Sequence, residues 1–224
     1  MSLEKLNTRT RREQIAQEAL RLVDSHGLKA LSIVGIARRS GLVPSGIYRH
    51  FKSKDEVLDG VLTLIHERLF LNVDAVCEQT QDPMERLRRL LLRHVQLIRE
   101  NRAFPRLVFS EGVYGGRPQR KEKVYAMISG YLDRVQEIVR QGQREGRIRE
   151  DLDPATVSMM FLGMIQPAAI LCHLSDGRFD VTRHAKRAWR ILREVIEKPH
   201  AQSRQNHRKG RSRIAGGART GGVT

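Results

Sequence analysis

Between Ser32 and Lys54 the chain gathers the side chains with the clearest chemical use. Ser32, Ser45, Tyr48, Arg49, His50, Lys52 and Lys54 fall in this span, with Val43, Pro44 and Gly46 among them. Hydroxyls, an imidazole and several cations in so short a run, without one carboxylate, suit the binding of anions and of flat hydrogen-bonding edges. They do not suit the breaking of bonds. The rest of the sequence has no His-Glu-x-x-His, no Walker-type loop, no Gly-x-Ser-x-Gly and no Cys-x-x-Cys. Gly112, Gly115 and Gly116 follow no strand, so they lack the context of a phosphate cradle. Glu150, Asp151 and Asp153 lack the spacing and glycine of a calcium loop and read instead as an acidic lead-in to a helix at Pro154. The expectation is a binding protein and not an enzyme, with no metal and no cofactor.

The elements that must hold these residues all read as helix. Alternating strand patterns and Asn-Gly or Asp-Gly hairpin turns are missing. A first helix is expected from Thr10, with Glu13 completing a capping box, to the stop at Gly27. Ser32 is a good N-cap for a short second helix that ends at Ser40-Gly41. Pro44 suits the first position of a third helix running to about His50. Ser53 and Glu56 then form a capping box for a fourth. Further helices are expected from Pro83 to about Glu100, from Pro118 to about Gly142–Gly146, from Pro154, and from Val181 to about Lys198, with a short helix and loop between Asn101 and Gly116. The fold class is all-α, of about nine helices.

Charge divides the chain. Of the formal +16, residues 1–54 hold +7 and residues 199–224 hold +6, whereas residues 55–198 hold only +3. An excess placed at the ends implies a polyanionic partner, either nucleic acid or an acidic membrane surface. The last 26 residues are rich in Gly, Arg and Ser and poor in apolar anchors, so they read as a disordered tail. Two readings of that tail stay open: non-specific attraction to phosphates, or a solubilising extension. Two cysteines, Cys77 and Cys172, build no disulfide framework, and no apolar signal segment leads the chain, so a cytoplasmic home is expected. Residues 157–174 are apolar almost all round, but Ser158, Gln166, Pro167 and His173 interrupt them. The run therefore reads as a buried or interface helix and not as a membrane span.

Two short helices joined by a tight glycine turn form a helix-turn-helix pattern, with the second helix of the pair the one that enters a major groove. The wording is more specific than the pattern. Ser32-Ile33-Val34-Gly35-Ile36-Ala37-Arg38-Arg39-Ser40-Gly41, followed by Pro44 to Lys54, and above all Tyr48-Arg49-His50-Phe51-Lys52-Ser53-Lys54, resembles the DNA-binding domain of the TetR family of transcriptional repressors. The resemblance implies that Val43, Pro44, Ser45 and Gly46 approach base edges of double-stranded DNA, and that Tyr48 and His50 contact phosphates. Ser32 stands where the family touches the backbone. Lys54 adds charge to the positive end of its helix, and Arg38, Arg39, Arg49 and Lys52 are further phosphate or base candidates. Phe51, Ile36, Ala37 and Ile47 are expected in the core. Val43 departs from the family, which usually places Ser there as the N-cap; Pro44 still preorganises the first turn.

The resemblance also implies a DNA-binding unit over 1–53, a ligand-binding and dimerisation unit over 54–198, and a basic tail over 199–224. It implies a homodimer built on the last two helices, reading a pseudo-palindromic operator, with release by a small-molecule inducer. The apolar helix from Pro154 and the stripe of the last helix, which includes Trp189, agree with such an interface. Candidate lining residues for the inducer are His94, Phe104, Phe109, Tyr114, Tyr125, Tyr131, Met160, Met164, Gln166 and His173, which would favour a hydrophobic or amphipathic molecule. The same side chains could instead simply fill helix–helix contacts. A nucleoid-organising or division-linked DNA-binding protein of the same fold, acting at dispersed sites without an inducer, is the alternative.

Overall fold

The computed structural model describes residues 3–110, 113, 115 and 117–199. The expected tail beyond Pro199 and the candidate Tyr114 lie outside the described residues. The first helix, α1 (Leu3–His26), starts earlier than the sequence predicts. Thr10 lies inside it, because neither Pro nor Gly precedes that position to stop the helix. After a 3-10 turn at Leu28–Ala30 come α2 (Ile33–Ser40) and α3 (Pro44–Tyr48). The turn between them needs Gly41, whose φ of 67° is a left-handed conformation that costs a side chain with a Cβ. Helix α3 is two residues shorter than expected. The amide N–H groups of His50 and Phe51 both donate to the Ile47 carbonyl at 2.9 Å, and this tight turn drops Phe51 into the core.

Helix α4 (Lys54–Gln79) runs from the end of that turn across the molecule. It is followed by α5 (Pro83–Glu100), α6 (Ala103–Val108) and α7 (Pro118–Arg144). Proline at the first helical position and an aspartate cap set several starts. Asp82 accepts from the N–H groups of Met84 and Glu85, and Asp153 accepts from Thr156 at 2.8 Å. The apolar run from Pro154 is one helix broken in two, α8 (Pro154–Gly163) and α9 (Gln166–Leu174), with Pro167 in the first turn of the second half. Taken whole, this run is long and apolar enough to cross a membrane, but Val157, Phe161, Leu162, Ile165, Ala168 and Ala169 are packed inside the protein. Helix α10 (Val181–Ile196) closes the bundle. Counting the broken helix once, the described residues form nine helices and no strand, the all-α class that the sequence predicts.

Two apolar cores follow. One joins α1, α2 and α3 to the start of α4, and continues through Leu97, Phe104, Leu107 and Val124 of α5, α6 and α7. The other is built by α5, α7, α8, α9 and α10 around Tyr131, Phe161 and Trp189. Leu69, Phe70 and Ile128 touch both. Trp189, Ala185, Leu192 and Ile196 are therefore buried within their own chain. A different stripe of α10 is bare, with Ile191 and Val195 exposed on it. Beside it, Met159, Met160, Ile170, Leu171 and Leu174 of the broken helix are also exposed.

Phe51 owes its place to a glycine. A Cβ on Gly60 would sit 2.7 Å from the Phe51 ring. Gly60→Ala should therefore destabilise the protein by about 1–3 kcal/mol despite alanine's better helix propensity, as read by urea unfolding. In the second core, His94 and Tyr131 pair at 2.9 Å between Nδ1 and the phenol oxygen. Burial pushes the His94 pKa down to about 4 from an ordinary 6.5, so the folded protein holds the neutral ring. The unfolded chain binds that proton first, so the stability is complete above the ordinary value and is lost as pH falls from 6.5 towards 4. Between pH 7.5 and pH 5 this single group should cost about 2 kcal/mol. His94→Gln should show a correspondingly smaller loss in the same unfolding series.

Candidate nucleic-acid interface

Helix α3 is only five residues long, and its placement rests on its neighbours. Ile47 is its buried side chain, and Pro44, Ser45 and Tyr48 are exposed away from it. Val43 stands at the N-cap position with extended backbone and makes no side-chain cap; it is 65% exposed, and Tyr48 is 54% exposed, both large for such apolar side chains. Gly46 is half-buried. Ser32 caps α2, its Oγ accepting from the Gly35 N–H at 3.1 Å. Arg38, Arg49, Lys52 and Lys54 are exposed, and their side chains form no ion pair among the described residues, whereas Arg39 reaches Glu18 at 3.4 Å. The candidates between Ser32 and Lys54 thus lie on α2 and α3, at their N-caps, in the turn after α3 or at the first residue of α4, and most are open to solvent.

The turn after α3 is locked by Arg12 of α1, a residue that the sequence alone does not single out. Its guanidinium lies 4.1 Å from the centroid of the Phe51 ring, donates to the His50 carbonyl, and pairs with Glu56 at 3.2 Å. Glu56 also accepts from the Lys52 amide at 2.7 Å, and its own N–H donates to Ser53 Oγ at 3.1 Å. Ser53 thus caps α4 as expected, whereas Glu56 returns its bond to the amide of Lys52 and not to that of Ser53. The Lys52 amide, with Arg12, holds the Glu56 carboxyl below its usual range. His50 is half-buried, with Nδ1 enclosed and unpartnered. Burial, then Arg11, Arg12 and Arg49, push its pKa down, so the free protein presents a neutral imidazole.

A second brace holds α4 from the other side. Arg120 of α7, nearly enclosed, donates to Asp59 at 2.8 Å and to the carbonyls of Asp55 and Val113 at 3.0 Å. Arg117 reaches Asp55 at 2.7 Å. Lys54 begins the same turn, is exposed, and makes no such bond among the described residues.

Between the two cores, α4, α5, α6, α7 and the broken helix line a cavity of about 50 Å³. His94, Phe104, Phe109, Tyr131 and Gln166 line it, as do Pro105, Met127, Ile128 and Leu162, which the sequence reading missed because they look like ordinary core. Four expected lining residues are elsewhere. Tyr125 is exposed on the outer face of α7, Met160 is exposed on the bare face of α8, and Met164 packs at the break. His173 is also outside the wall. Helical phase explains this: six residues are about 1.7 turns, so Tyr131 faces inward where Tyr125 faces outward. Among the described residues no three His, Cys, Asp or Glu side chains meet as a metal site.

Residues 15–61 match the model of the bacterial regulatory proteins of the tetR family. Residues 80–196 match that of the tetracyclin repressor-like C-terminal domain. The nucleoid occlusion factor SlmA of Vibrio atlanticus (strain LGP32) is 23% identical over 192 residues, covering 84% of this chain and 96% of that protein. Among solved structures, the fatty acid degradation regulator FadR from Bacillus halodurans superposes with a TM-score of 0.70 at 22% identity, over 81% of this chain and 94% of that one. FadR from Bacillus subtilis, in complex with stearoyl-CoA, gives 0.69 at 21% identity, over 82% and 98%. With both halves of the fold matched in order, and the helix-turn-helix exposed at one end, the chain belongs to the TetR family of DNA-binding transcriptional regulators.

Proposed function

We propose that this chain is a cytoplasmic, homodimeric repressor that holds a pseudo-palindromic operator until a small apolar or amphipathic molecule enters its cavity. The carrying observation is the exposed, carboxylate-free run from Val43 to Lys54, fixed from beneath by Ile47 and Phe51. Residues 1–53 act as the reading unit and 54–198 as the unit that binds ligand and partner. Val43, Pro44, Ser45 and Gly46 meet base edges. Ser32, Tyr48, Arg49, His50, Lys52 and Lys54 meet phosphates, with His50 using Nε2 because Nδ1 is enclosed. The apolar lining and the fatty-acid regulators among the structural neighbours support the ligand class.

Selection of bound sequences from random duplex DNA should return a palindrome whose half-sites lie ~34–36 Å apart, one turn of the helix. Sequence-blind binding would overturn the proposal. Lys54→Ala should weaken binding to every sequence and flatten the salt dependence by about one unit, and Tyr48→Phe should weaken it without that change in slope.

The bare stripe of α10 and the exposed face of the broken helix carry the dimer in this reading, since so many large apolar side chains left exposed on these helices call for a cover. Ile191→Asp should therefore give a folded monomer by sedimentation, and that monomer should lose the palindrome. A second reading, a DNA-organising protein at dispersed sites, is favoured by the nucleoid occlusion factors among the relatives. Genome-wide occupancy separates the two: a few promoters for the repressor, scattered sites for the organiser.

A further inference from the structure

The cavity wall is chemically lopsided. None of its fourteen lining residues is charged, and all but His94, Tyr131 and Gln166 are apolar. His94 and Tyr131 satisfy one another at 2.9 Å. Gln166 is different: its Oε1 is buried and has no hydrogen-bond partner. A buried amide oxygen without a donor costs about 1–3 kcal/mol, and natural proteins rarely carry such a group without a use for it. Gln166 stands at the start of α9, just after the break, so its amide is held by backbone that is already fixed. Phe109, 45% exposed at the end of α6, lies at the rim of the same cavity.

We propose that the cavity takes an uncharged ligand with an apolar body and one hydroxyl, and that the hydroxyl pairs with the unmatched amide of Gln166. This rests on the reading of the cavity as the inducer site and adds the chemistry of the inducer. A hydroxyl can donate to Oε1, and it can equally accept from the amide nitrogen if the amide is turned over. A carboxylate has neither a donor to offer nor a counter-charge in the wall, so its burial there is penalised. The present volume, about 50 Å³, admits little more than the polar group itself. The apolar body must then displace the Phe109 side of the wall, and α6 is the element that also packs against α1.

Three probes of equal chain length test this on the full-length protein by calorimetry at pH 8: 1-octanol, 1-chlorooctane and octanoate. Octanol should bind at least tenfold more tightly than either of the others. Gln166→Leu should erase the preference over chlorooctane and should not lower the melting temperature, because no existing hydrogen bond is lost. Gln166→Met provides the same comparison if the leucine variant is poorly folded. Octanoate binding as well as octanol, or an alcohol preference that survives both variants, would overturn the inference while leaving the cavity as a ligand site. Failure of all three probes to bind would overturn the inference and the inducer site together.

Discussion

Three carboxylates in the first two turns of α4 carry the joint between the DNA-reading helices and the bundle. Glu56 faces α1 and the turn after α3, taking the Arg12 guanidinium and the Lys52 amide. Asp55 and Asp59 face α7, taking Arg117 and Arg120. Exposed pairs of this kind are usually worth little. Arg120 is another matter, since its side chain is nearly enclosed and makes hydrogen bonds to two carbonyls as well as to a carboxylate. Acidic groups at a helix N-terminus are also favoured by the backbone dipole. The orientation of α3 thus depends on α4, and the orientation of α4 depends on helices from both sides.

This arrangement gives the interior a route to the surface. Helix α7 carries Arg120 at one end and Met127, Ile128 and Tyr131, cavity residues, two to three turns further on. At 1.5 Å per residue, Arg120 and Met127 are separated by about 10 Å of rigid helix. Helix α6 provides a second route, with Phe104 shared between the cavity and the core that holds α1. A closely packed interior moves as blocks and does not deform smoothly. In the proposed ligand response, α6 and α7 are thus the elements that join the cavity wall to the first turn of α4.

Much of the fold can be read from the sequence because its punctuation is local. Proline at the first helical position, an aspartate or serine cap and a glycine stop mark most of the helix boundaries, and each acts within a few residues. The helix-turn-helix is legible for the same reason: Ser32 to Lys54 is a continuous string. What escapes is what depends on packing between distant segments. Arg12 is one basic residue among several until Phe51, His50 and Glu56 surround it. Tyr125 and Met160 have suitable chemistry for a cavity and the wrong helical phase for it. Trp189 marks a stripe in the sequence, but which stripe of α10 meets its own core and which stays bare is decided only when α5 packs beside it.

The broken helix has one more meaning. Leu162 and Gln166, on either side of the break, belong to the cavity wall, while Met159, Ile170 and Leu171 on the same two halves belong to the bare outer face. In a dimer joined through that face, one short stretch of backbone serves as the wall of the binding site and as the seam between subunits. The two sites of such a dimer have no reason to be independent. If both proposals hold, occupancy of the first bears on the surface against which the second is built, and the break between Gly163 and Gln166 is where cooperativity of either sign would be set.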